Sequence, residues 1–104
     1  MESPGTKSLE KISSETEDEL SEPPLYKVLL HNDDFTTMEF VVNILLSVFN
    51  KSVEEATQIM LNVHNQGIGL CGLYSFEVAE TKVEMVSDEA SRNGFPLRCS
   101  MEKE

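Results

Sequence analysis

The stretch HNDDFTTMEFV, residues 31–41, sets Asn32, Asp33 and Asp34 side by side directly after an apolar run. His64 stands more than a helix-length downstream, and with His31 it makes up the histidine content of the chain. An amide oxygen, two carboxylates and a neutral imidazole are all hydrogen-bond acceptors. Adjacent carboxylates repel, so their pairing calls for a physical reason. A general acid/base pair with His64 would need a nucleophile or an oxyanion site beside it, and no motif marks either. A metal site drawn from His31, Asp33, Asp34, His64 and the cysteines matches no zinc spacing, since CxxC and HxxxH are both missing. The expectation is therefore no catalytic residue, no metal and no cofactor.

Two readings remain. Asn and Asp are turn residues whose side chains bond nearby backbone amides, and an acid before a helix interacts well with its dipole. That accounts for one aspartate comfortably, for two less well, and not for His64. Alternatively, the acceptors serve a small cation with several N–H donors, beside apolar helix faces that line a cavity. A polypeptide N-terminus with a large hydrophobic first residue carries such a cation and an apolar group on one carbon. Its α-ammonium, with a pKa of roughly 7.7–8.0, is mostly charged at neutral pH.

These residues need elements to hold them. LYKVLL (25–30) reads as a strand. After the NDD turn, Thr36-x-x-Glu39 reads as a capping box opening a helix with Met38, Val41, Val42, Leu45, Val48 and Phe49 as its apolar stripe, ended by Asn50-Lys51. Ser52-x-x-Glu55 opens a second, with Val53, Ala56, Ile59, Met60 and Val63 inward and Gly67 past its end. IGLCGLY (68–74) reads as a strand that another backbone approaches closely. Ser75 caps a third helix whose stripe is Val78, Ala79, Val83, Val86 and Ala90, stopped by Gly94 and Pro96. LRCSM (97–101) alternates as a last strand. The order β-α-α-β-α-β predicts an α+β fold, a three-stranded antiparallel sheet packed against three helices.

Composition divides the 104 residues in two. Residues 1–24 carry seven acids against two lysines with few large apolar side chains, which predicts a disordered acidic tail hinged at Pro23 and Pro24. Residues 25–104 form one domain. A net charge of −11 leaves no basic face for phosphates, which argues against nucleic acid and against an anionic membrane surface. Residues 1–24 lack the apolar core of a signal peptide and no apolar run could span a bilayer, so a cytoplasmic protein is expected. Cys71 and Cys99 read as buried thiols, with a disulfide between them left open.

YKVLLHNDDFTTMEFVVNIL, ATQIMLNVHNQGIGLCGLYSFEVAETKVEMV and GFPLRCSMEKE closely resemble the ClpS family, the bacterial adaptors of the ATP-dependent Clp protease. The resemblance spans residues 25–104. It implies a non-catalytic, monomeric adaptor of the N-end rule pathway that hands polypeptides beginning with Leu, Phe, Tyr or Trp to the AAA+ unfoldase ClpA for degradation by ClpP. By motif position it implies Asn32, Asp33, Asp34 and His64 around the α-amine. Thr36, Met38, Val41, Met60, Val63 and Leu97 match the pocket for the first side chain, with Met38 as a gate against β-branched residues. Glu77 and Lys82 match the contact with the N-terminal domain of the unfoldase. Where many members have Pro, this chain has Thr37. The competing expectation is a structural protein–protein interaction module without N-terminal recognition, in which NDD is only a turn.

Overall fold

The computed structural model describes residues 23–104; the acidic segment expected to be disordered lies outside the described residues, apart from Pro23 and Pro24. The elements run β1 (Tyr26–His31), α1 (Met38–Ser47), α2 (Val53–Gln66), β2 (Ile68–Tyr74), α3 (Phe76–Arg92) and β3 (Arg98–Lys103). The sheet order is β2-β1-β3, antiparallel throughout, as the α+β reading expects. Among the described residues, helices cover one face of the sheet, which suits an antiparallel arrangement. Val28 and Leu30 of β1 are buried under them with Cys71 of β2, while Ile68, Leu70 and Leu73 stay exposed. Both cysteines are free thiols.

The start of α1 differs from expectation. Thr37, not Thr36, is the cap, and its hydroxyl oxygen accepts from the Phe40 amide at 3.1 Å. The cause lies in the preceding turn, where Asp33 already engages both the amide and the hydroxyl of Thr36. With the cap one residue later, Glu39 falls at the second helical position and the box does not close. At the other end Asn50 adopts φ 55°, and the Lys51 amide returns to the Leu45 carbonyl at 3.1 Å.

The box at Ser52 and Glu55 forms as expected, and so does the Ser75 cap. The stripes are right in phase but wrong at their margins. Val53 is 62% exposed and Val78 45% exposed, because each lies at the first turn of its helix, to the side of the covered face. Phe40 and Ile44 join Val41, Leu45, Val48 and Phe49 in the core instead.

α2 lies close on β2. A methyl group at Gly69 would sit 2.6 Å from Val63 Cγ2 and 3.1 Å from the Ile59 carbonyl oxygen, so glycine there permits the backbone approach expected of IGLCGLY. Opposite the Val28–Leu29 step, Cys71 is the extra residue of a bulge in β2.

Candidate functional site

Residues 32 and 64 are brought together by backbone chemistry. α2 ends at Gly67, whose φ of 88° is readily adopted only without a Cβ, and its amide bonds the Val63 carbonyl at 3.0 Å. The chain reverses there, and the Gly67 carbonyl accepts the Asn32 amide at 3.0 Å. The loop leaving β1 is thus tied to the end of α2 that carries His64.

The next tie is internal to the loop. Asp33 Oδ1 accepts from the Phe35 and Thr36 amides at 2.8 and 2.7 Å, and Oδ2 accepts the Thr36 hydroxyl at 2.8 Å. Burial alone would raise the Asp33 pKa, but the bonds from the Thr36 amide, the Phe35 amide and the Thr36 hydroxyl outweigh it and hold the carboxyl below its usual 3.8. A depressed folded-state pKa stabilises the fold above the unfolded value, and that contribution is lost as pH falls through the folded value. Urea midpoints should therefore be insensitive to this group from neutral pH to about 4–5 and decline below 3.8, and D33N should lack that part of the decline. An identical acid limb in both proteins would refute it.

Around this turn a cavity of about 260 Å³ is lined by Asn32, Asp33, Asp34, Thr36, Met38, Val41, Met60, Val63 and His64. Met60, Val63 and His64 share one side of α2 by their three- and four-residue spacing. Val41 and Val63 are buried wall, whereas Met38 is 46% exposed at the start of α1. The side chains of Asn32, Asp34 and His64 make no hydrogen bond among the described residues, and no Lys or Arg lines the cavity. The lining therefore combines a set of acceptors carrying negative charge with apolar side chains. Such a site favours a cation attached to an apolar group.

Nine of the ten residues expected around the amine and the first side chain line this cavity. Leu97 does not; it is buried in the core cluster that also contains Val41 and Val63. His31, considered above as a metal ligand, is not among the lining residues either. Its Nε2 lies 2.6 Å from Ser100 Oγ, and Arg98 donates to its Nδ1 at 3.3 Å. Partial burial and the Arg98 charge lower its pKa against a smaller opposing effect of Glu102. Glu77 is exposed in the first turn of α3. Lys82 is engaged within the chain: its ammonium donates to the Val48 carbonyl at 2.7 Å and lies 5.7 and 5.3 Å from the Phe49 and Tyr74 ring centroids.

Sequence reasoning missed the division of labour between the aspartates. The spacing Asp33-x-x-Thr36, a turn signature in its own right, is the signal that could have revealed it.

The chain matches the family model described as "ATP-dependent Clp protease adaptor protein ClpS" over residues 21–100. Among curated relatives, the ATP-dependent Clp protease adapter protein ClpS of Desulfatibacillum aliphaticivorans is 60% identical over 93 residues, 89% of either chain. That of Hyphomonas neptunium is 58% identical over 93 residues, 89% of this chain and 79% of its own. Among solved structures, Agrobacterium tumefaciens ClpS2 bound to L-phenylalaninamide superposes with a TM-score of 0.77 at 37% identity, covering 80% of this chain and 100% of that one.

Proposed function

The chain belongs to the ClpS family of ATP-dependent Clp protease adaptor proteins, and on that footing we propose that its cavity is a receptor for polypeptide N-termini. The observation that carries this reading is the pairing of unpartnered acceptors with apolar walls in one small cavity. Its volume of about 260 Å³ lies just below the roughly 300–1,000 Å³ of drug-sized sites, which suits one residue better than a larger substrate.

Asn32, Asp34 and His64 present their acceptor atoms to the α-ammonium, while Asp33, fixed by its turn, contributes charge and one remaining lone-pair direction on Oδ2. Charge-assisted bonds of this kind are worth about 1.5–3 kcal/mol each. Val41, Met60, Val63 and Thr36 receive the first side chain, rewarding apolar burial at roughly 25 cal/mol per Å². Leu97 supports that wall from the core behind it. L-Phenylalaninamide, held by the Agrobacterium protein, combines a free amine, a benzyl group and a neutral amide in place of the following peptide bond. That is the chemistry of a polypeptide beginning with Phe.

The proposed role is an adaptor with no catalytic step of its own. It captures substrates beginning with Leu, Phe, Tyr or Trp in the cytoplasm and delivers them to a ClpA-type unfoldase, which it meets around Glu77 and Lys82. Fluorescence anisotropy with peptides beginning Phe, Leu, Ile and acetyl-Phe tests the capture step. Phe and Leu should bind, acetyl-Phe should not, and Ile should bind far more weakly than Leu. Equal binding of all four, or of none, would overturn the proposal.

A further inference from the structure

We propose that Phe35 is a contact for the second residue of a captured polypeptide, so that recognition extends one side chain past the cavity and favours a large apolar residue there. This rests on the reading of the cavity as a receptor for N-termini. Phe35 is 76% exposed, more than any other large hydrophobic residue among those described. It stands between Asp34 and Thr36, both of which line the cavity, without lining it itself. Its ring joins no aromatic pair among the described residues, unlike Phe40, Phe49, Phe76 and Phe95.

The turn holds the backbone that carries this ring. Asp33 Oδ1 holds the Phe35 amide at 2.8 Å and the Thr36 amide at 2.7 Å, which fixes the backbone on both sides of the Phe35 Cα. A cavity of about 260 Å³ takes one residue, so the second leaves through the mouth. There the exposed lining is largely polar, from Asn32, Asp34 and His64, with Met38 as its apolar member. Phe35, flanked in the chain by two lining residues, offers an exposed flat apolar surface next to them. A phenyl ring has only two side-chain torsions to fix, so contact on it is made at small entropic cost. The ligand class is a polypeptide whose second residue is Leu, Met or aromatic.

The test compares two labelled peptides, both beginning with Phe and differing only in Gly or Leu at the second position. Anisotropy is measured on the wild-type protein and on F35A, whose exposed substitution site leaves the core intact. The wild type should bind the Leu peptide about fivefold more tightly, equivalent to ~1 kcal/mol. In F35A that ratio should fall to about one while affinity for the Gly peptide holds. A wild-type ratio near one, or a ratio unchanged in F35A, overturns the inference and leaves N-terminal capture standing. Equal weakening of both peptides by F35A also overturns it, because the ring would then act by shaping the loop. If neither peptide binds the wild type, the capture reading itself fails.

Discussion

Replacing both aspartates by asparagine, D33N with D34N, is expected to abolish capture of peptides with free N-termini while leaving the protein folded. The side chain introduced at position 33 retains an amide oxygen for the Phe35 and Thr36 amides, and its NH2 can donate to the Thr36 hydroxyl. The turn therefore keeps its bonds with one direction reversed. What disappears is the negative charge facing the ammonium. Loss of two charge-assisted interactions at about 1.5–3 kcal/mol each corresponds to a fall in affinity of roughly 10²–10⁴-fold. Thermal unfolding should shift only slightly. Under the competing view, a structural module in which NDD is only a turn, the double variant would change stability slightly and leave peptide binding untouched. Retained affinity in a folded double variant therefore decides against the receptor.

Met38→Ala is expected to relax the choice of first residue. Ile and Val carry two heavy atoms on Cβ and are stiff there, so they need width close to the amine rather than depth. Met38 lines the cavity while half-exposed at the first turn of α1, where truncation widens the site without opening the buried core. A misfit of this size in an apolar site is worth about 10–200-fold in discrimination. The wild type should prefer a Leu peptide over its Ile counterpart by a factor in that range. M38A should bring the two within a few-fold of each other, mainly by tightening Ile. An unchanged Leu-to-Ile ratio in M38A would remove Met38 from its proposed role as a gate.

Most of the architecture is legible in the sequence because its signals are local. Ser52 and Glu55 specify one helix start, Gly67 one helix stop, and the apolar spacing within α1, α2 and α3 sets the phase of each stripe. The misreadings arise where one side chain has two possible duties. Thr36 could cap α1 or bond Asp33, and the choice depends on a turn geometry that residue types alone leave open. The bond from the Lys82 ammonium to a carbonyl 34 positions away is likewise set by the fold and carries no signal in residue spacing. The cavity itself is a long-range object. Asn32 and His64 meet through the pairing of β1 with β2, which sets His31 opposite Ile68 and is continued by the bond from the Asn32 amide to the Gly67 carbonyl, and no periodicity encodes that register. The resemblance to a known family supplied the grouping that spacing could not.

The sheet order has a consequence for how the molecule is made. β1 is the first of the described elements yet is the central strand, and its partners are the fourth and the sixth of them. Tyr26 pairs with Lys103 and His31 with Arg98, contacts that span nearly the whole domain. Such distant pairing slows folding, because chain closure must precede any gain from contact. The loop that begins at Asn32 hangs from the end of this strand, so its geometry is settled late. The chain must be made through β3 before its central strand is paired along both edges, so the cavity at the end of that strand is settled only when all six elements are present.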